Sequence, residues 1–195
     1  MLPLSRPFIV EFSGTPEAGK TTAIGTVSNM LRSKGYEVMT LKESAESLPD
    51  EIAKGTFDAN MWMHFITQAG LLRAIHSDVD VVLVDRGSID SKFYGYKFLQ
   101  EGVCSKEQYE AFNKTFVERL KPDLFIALAI SPEVSIIRRG GEGRLVTQKY
   151  IENYNSLFFK FFETVESPKV LITTTNMDVY TMNNTINEAI LKHLP

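Results

Sequence analysis

Eight residues constrain this chain more than any others. Gly14-Thr15-Pro16-Glu17-Ala18-Gly19-Lys20-Thr21 matches the phosphate-loop pattern G-x-x-x-x-G-K-[ST] at every fixed position. The apolar run Phe8-Ile9-Val10, continued by Phe12, predicts a strand running into the loop. The segment from Lys20 to Lys34 predicts a helix leaving it. Glycines let the backbone curl so that consecutive N–H groups face one anion, and the helix start adds its positive dipole end at the same point. Lys20 would reach the β- and γ-phosphates, and the Thr21 hydroxyl would hold a magnesium ion. A chance match in a chain of this length is on the order of one percent. Binding of a nucleoside triphosphate by Gly14 to Thr21, with the adjoining Thr22, is therefore the first expectation.

At 195 residues a single domain, 1–195, is expected, large enough to bury a real core. A net charge of −3 with both signs mixed along the chain supplies no general field for nucleic acid or an anionic membrane. Residues Met1 to Pro7 are too few for a signal peptide. No apolar run approaches the roughly 18 residues of a membrane span. Cys104 is the single cysteine, which excludes an internal disulfide and fits a reducing, cytoplasmic setting. His64, His76 and His193 are scattered, against a structural zinc site.

Five short apolar segments read as strands: Phe8–Ser13, Glu37–Lys42, Val79–Asp85, Leu124–Ile130 and Lys169–Thr173. Near-continuous Val, Ile and Leu suggest burial on both faces, as in a parallel sheet, and the helical segments between them predict an α/β doubly wound layout. Thr56–Ser77 is one such helix. Lys106–Leu120 is another, opened by a capping box at Ser105 and Gln108 and stopped before Pro122. Thr147 opens a helix through Glu163 whose Tyr150, Tyr154, Leu157, Phe158, Phe161 and Phe162 recur at helical spacing and read as core. Thr181–Leu194 closes the chain.

Two further constellations belong with the loop. The third strand ends in Asp85-Arg86, and ligands of open α/β sheets sit beyond the carboxyl ends of the strands, so Asp85 is a candidate magnesium-side carboxylate. The second is Arg138-Arg139-Gly140-Gly141-Glu142-Gly143-Arg144. Three arginines on a glycine-rich stretch, about 138–146, suit a lid that grasps phosphate bidentately and excludes water when closed.

With these landmarks in order, the chain resembles the thymidylate kinase and deoxynucleoside kinase branch of the P-loop kinases. The phosphate loop, Asp85-Arg86 after the third strand, Thr40-Leu41-Lys42-Glu43 at the end of the second, and Ser131-Pro132-Glu133-Val134 leading to the lid arginines carry the likeness. It implies a five-stranded parallel sheet of order 2-3-1-4-5 and transfer of a phosphoryl group from ATP to a small acceptor. It further implies that Lys20, Asp85, Arg86 and Arg144 serve the transfer, that Thr21 and Asp85 hold Mg2+, and that Arg138 or Arg139 lies against the adenine. Acceptor contacts would come from Lys42, Glu43, Arg86 and, on the helix Thr56–Ser77, from Trp62, Phe65 and Gln68. Expected partners are a nucleotide donor and a small-molecule acceptor, not nucleic acid or membrane, with a homodimer left open.

The chain departs from that branch at Ser13, where such kinases carry a Glu before the first loop glycine. Glu11, two residues earlier on a central strand, needs a partner, since an unpaired buried carboxylate is costly. Without the usual acid, a hydroxyl acceptor would have to use Asp85 or Glu43 as base. A phosphate acceptor needs none, and the expectation therefore leans to a nucleoside monophosphate. The alternatives are a P-loop switch and a regulatory protein without transfer activity. Asn176-Met177-Asp178 and Asp85-Arg86-Gly87 do not meet the guanine-specifying and Asp-x-x-Gly patterns of a switch.

Overall fold

A computed structural model of the protein describes residues 6–143 and 146–195; Arg144, one of the expected lid residues, lies outside the described residues. The sheet is formed by β1 (Phe8–Gly14), β2 (Val38–Leu41), β3 (Val81–Asp85), β4 (Leu124–Ala129) and β5 (Lys169–Thr173) in the order β2-β3-β1-β4-β5. Every pairing is parallel. The helices are α1 (Lys20–Ser33), α2 (Phe57–Ala74), α3 (Ser88–Gln100), α4 (Lys106–Asn113), α5 (Pro132–Arg139), α6 (Gln148–Thr164) and α7 (Val179–His193). No helix among the described residues is long and apolar enough to cross a membrane.

Burial of both sheet faces follows from the alternation of strand side chains. Val10, Phe12, Leu124, Ile126 and Leu128 pack with Val27 and Leu31 of α1 and Ile186 and Ile190 of α7. On the opposite face, Phe125 and Ala127 meet Phe93 of α3 and Tyr154, Phe158 and Phe161 of α6, while Ile9, Val82 and Val84 meet Leu71 and Ile75 beside α2. The aromatic stripe of α6 is therefore core from Tyr154 onward.

Two expectations need correction. The helix from Lys106 stops at Asn113, and only a 3₁₀ turn, Glu118–Leu120, follows. The capping box at Ser105 and Gln108 is present in both halves, so the start is where the sequence puts it. The helix ends early because the Thr115 hydroxyl donates to the Phe112 carbonyl at 2.7 Å and meets His64 Nε2 at 3.1 Å, a local side-chain bond that competes with the helical ladder. The last helix begins two residues earlier than expected, at Val179, since Asp178 accepts from Thr181 N and caps it.

Glu11 has a partner of an unexpected kind. It is 1 % exposed, and its carboxylate accepts from the backbone N–H groups of Ile89 (3.0 Å) and Asp90 (2.7 Å). These are orphan donors in the first turn of α3. The N-cap residue Gly87 has no side chain to serve them, and a Cβ at Gly87 would lie 2.6 Å from Glu11 Oε2. A carboxylate from the central strand thus caps α3 in place of a local residue.

Burial, opposed by those two N–H bonds and reinforced by Asp90, pushes the Glu11 carboxyl up from 4.5 to about 8. A group raised on folding stabilises the fold fully below its unfolded pKa and loses that contribution as pH rises through the folded one. Lys20 acts in the opposite direction, its pKa being lowered to about 7, so the Glu11 component is read as a difference between variants. Glu11→Gln should cost about 1–3 kcal/mol at pH 4–5, because an amide nitrogen cannot accept from a helix N–H group as either oxygen of the protonated acid can. The gap to the parent should narrow between about pH 4.5 and 8. Urea unfolding at several pH values measures both, and a gap that is constant with pH would refute the assignment.

Candidate active site

The phosphate loop is held from outside by its carbonyls. Gly14 O accepts from the Tyr154 hydroxyl at 3.0 Å, Pro16 O from Ser135 Oγ at 2.9 Å, Glu17 O from Arg138 at 3.3 Å and Ala18 O from Thr174 Oγ1 at 3.2 Å. Thr15 N donates to Leu128 O of β4 at 2.9 Å, and Thr15 Oγ1 donates to Asn155 Oδ1 at 2.6 Å. Peptide planes are rigid, so turning the carbonyls into the protein leaves the opposite N–H edges for an anion. Left-handed backbone at Gly19 (φ 97°) and Glu17 (φ 61°) makes the curl, and α1 begins at Lys20.

Lys20 is 7 % exposed, and its ammonium donates to Gly14 O (3.3 Å) and Thr15 O (2.9 Å). Two of its three N–H groups are thereby used, and one remains for a phosphate. Burial first, and the Arg86 cation second, bring its pKa down from 10.5 to about 7. The β1–β3 register sets Phe12 opposite Asp85, which brings Asp85 level with the root of the loop. Thr21 Oγ1 donates to Asp85 Oδ2 at 3.1 Å, while Asp85 Oδ1 is buried without a hydrogen-bond partner among the described residues. Burial raises the Asp85 pKa, with Lys20 and Arg86 opposing. A hydroxyl and an orphaned carboxylate oxygen beside a phosphate cradle fit Mg2+, which takes few protein ligands and completes its shell with phosphate and water. Among the described residues no cluster of three or more His, Cys, Asp or Glu offers an alternative metal site.

Two cavities meet here. The first, of about 690 Å³, runs over the loop between Glu17, Gly19, Lys20, Thr21 and Thr22 on one side and Arg138, Arg139, Met177, Val179 and Met182 on the other. The second, of about 220 Å³, lies between α2 and α3 and is lined by Ala59, Asn60, Met63, Ser91, Phe98 and Asp90, among others. Glu43, Arg86, Tyr94 and Tyr150 line both. Arg86 is the cation at the junction. Its Nε lies 3.1 Å from Glu43 Oε1 and its Nη1 lies 3.3 Å from Asp90 Oδ1. Arg138 and Arg139 occupy the last turn of α5. Arg138 Nη2 donates to Thr174 O at 3.2 Å, and Arg139 pairs loosely with Glu17 at 3.8 Å.

Several expected acceptor residues lie elsewhere. Trp62 donates its indole N–H to Ser47 O at 3.2 Å. Phe65 is 47 % exposed, and Gln68 donates to Ser88 Oγ at 2.7 Å, joining α2 to α3. None of the three lines the second cavity. The face of α2 that does is Ala59, Asn60 and Met63, since residues on a helix are set about 100° apart and Trp62 points to a different side. Lys42 lines an adjoining cavity of about 390 Å³ with Thr21, Thr40, Glu43 and Asp85. Of the two, Glu43 also lines the second cavity and Lys42 does not.

Three residues emerge that the motifs did not single out for this site. Asp90 and Tyr94 had no motif to mark them, and Tyr150 read as core. Ser13 Oγ donates to Asp90 Oδ1, so a carboxylate from α3 stands beside the position where the related kinases carry their acid.

Comparison with known proteins follows the geometry. The chain is 33 % identical over 159 residues to the thymidylate kinase of Caldicellulosiruptor saccharolyticus, covering 73 % of this chain and 75 % of that protein. It is 26 % identical over 177 residues to the thymidylate kinase of Pseudoalteromonas translucida, covering 81 % and 82 %. Its fold matches that of deoxyadenosine kinase from M. mycoides, solved with dCMP and dCDP, with a TM-score of 0.72 at 21 % identity over 95 % of this chain and 100 % of that one. No family model matches the chain.

Proposed function

The chain belongs to the thymidylate kinase family of P-loop kinases, and from that premise we propose that its larger cavity takes magnesium-ATP and its smaller one a nucleoside monophosphate. As an ATP-dependent nucleotide or nucleoside kinase it needs two ligands end to end. The observation that carries the reading is Arg86, which lines both cavities.

Each residue then has a role that its position supports. The loop N–H groups and Lys20 neutralise charge on the transferring phosphoryl group, and Arg86 orients the acceptor at the junction. Thr21 and Asp85 would hold Mg2+, which would supply positive charge to offset that of the donor phosphates. The apolar wall of Met177, Val179 and Met182, with the planar Arg138 braced at Thr174 O, suits an adenine ring. Arg139 and Arg144 belong to the proposed lid at about 138–146.

A second reading has one observation in its favour. Arg86 is already faced by two carboxylates, Glu43 and Asp90, a setting suited to a neutral hydroxyl with Glu43 as base rather than to another anion. Steady-state assays with magnesium-ATP against matched pairs, each nucleoside beside its 5′-monophosphate, decide between them. The expected result is a higher kcat/KM for the monophosphate, thymidylate among those tested. A preference for the nucleoside, with activity lost in Glu43→Gln, establishes the second reading. Inactivity on every pair defeats both.

A further inference from the structure

Glu11 and Ser13 are two residues apart on β1 and so share one face of the strand, the face that meets the first turn of α3. Glu11 takes the backbone N–H of Asp90 at 2.7 Å, and Ser13 donates to the Asp90 side chain. Asp90 is thus fixed at both its main chain and its carboxylate by the central strand. It is 4 % exposed, and a carboxylate so deeply buried requires partners for its lone pairs. Its second partner is Arg86, with Nη1 at 3.3 Å from Oδ1 and 3.5 Å from Oδ2.

Arg86 itself is held in left-handed backbone, φ 58°, a conformation that costs a non-glycine residue on the order of 1 kcal/mol or more and persists only where the surroundings over-determine it. Its amide continues the sheet by donating to Phe12 O at 2.9 Å. Its two carboxylate partners differ in kind. The Glu43 side chain is 42 % exposed and that of Asp90 is 6 % exposed. An incoming anion can displace the solvated Glu43, but Asp90 has no water to retreat into.

We propose that Asp90 is a positioning residue for phosphoryl transfer: clamped by Ser13, it fixes the Arg86 guanidinium at the junction of the two cavities and ties it to the root of the phosphate loop. The route Ser13–Asp90–Arg86 connects the donor loop to the acceptor cavity through side chains alone. The proposal rests on the reading of Arg86 as the acceptor-orienting cation.

A double-mutant cycle tests it on the full chain, with kcat and acceptor KM measured beside ATP affinity from calorimetry in the absence of acceptor. Arg86→Gln alone tests the underlying reading and should lower acceptor kcat/KM strongly. Asp90→Asn keeps the shape and removes the charge. It should lower acceptor kcat/KM by about 10- to 100-fold, the worth of one buried charge-assisted contact, and change ATP affinity by less than about twofold. In the Arg86→Gln background the same change should have almost no further effect, because coupled residues are not additive. Losses that multiply instead, or an Asp90→Asn enzyme equal to the parent while Arg86→Gln is impaired, overturn the proposal and leave the role of Arg86 standing. If Arg86→Gln is unimpaired, the reading of Arg86 fails and the proposal falls with it. Should Asp90→Asn fail to fold, Ser13→Ala carries the test: it should fold with a lowered melting point from the lost buried bond, keep the parent's ATP affinity and lose acceptor kcat/KM several-fold. A Ser13→Ala enzyme with unchanged acceptor kinetics then refutes the clamp.

Discussion

A Lys20→Met enzyme should turn over at least about a hundredfold more slowly than the parent, the usual consequence of removing one charge contact made to the transition state. The fold should survive, since the loop is held by carbonyl contacts to Tyr154, Ser135 and Thr174 that do not involve the lysine. A second readout separates charge from packing. The Lys20 ammonium, held at about 7 in the free protein by burial and by Arg86, must be protonated to meet a phosphate. ATP affinity should therefore weaken as pH rises above about 7 in the parent, and this limb should be absent in Lys20→Met. Turnover within a few-fold of the parent in the presence of saturating ATP and acceptor would falsify the phosphate-loop assignment.

Gly14→Ala should be the most damaging single methyl group in the chain. Gly14 adopts φ 124°, and a Cβ there would lie 2.0 Å from Leu128 O and 2.8 Å from Leu128 C and N. These are backbone atoms of β4, paired to β1 at this point, and cannot move without breaking the ladder and the Thr15 N to Leu128 O bond. A loss of about 4 kcal/mol or more is expected, a large share of a typical folding free energy and about 10 °C or more in Tm. Gly19→Ala makes the control. It too is left-handed, at φ 97°, but its Cβ would meet only the Met182 thioether at 3.2 Å, a flexible side chain that can shift. It should melt clearly above Gly14→Ala in a thermal scan. Equal melting points would show that backbone conformation, rather than the close approach to β4, sets the cost.

The chemistry of one ligand was legible in the sequence because its determinants are local. The phosphate loop occupies eight consecutive residues, and hydrogen-bond geometry over so short a span depends on little beyond glycine placement and the helix that follows. The place of Asp85 was legible for a related reason, since a buried apolar strand that ends in an acid sets it at the carboxyl edge of the sheet. Ser105 with Gln108 marked the start of α4 through contacts three residues apart. The end of that helix, set by a bond between Thr115 and His64 from α2, carried no such mark.

The acceptor side depends on contacts that no local pattern encodes. Glu11 and Asp90 are 79 residues apart, and Ser13 and Asp90 are 77. On α2, apolar and aromatic residues lie on every side, Trp62, Met63, Phe65 and Ile66 within five positions. Periodicity therefore had no preferred face to report, and Trp62 and Phe65 read as candidates while Asn60 and Met63 line the cavity. The neighbours Lys42 and Glu43 both read as candidates, and only the folded chain shows that Glu43 alone reaches the second cavity. What the sequence by itself determined is the phosphate-loop pattern and its setting between β1 and α1, because that pattern is written in consecutive residues. The second cavity was decided by tertiary structure alone, because its walls come from residues 43–56, α2, α3 and α6, and only the packing of the sheet brings Glu43, Arg86, Asp90 and Tyr150 around one space.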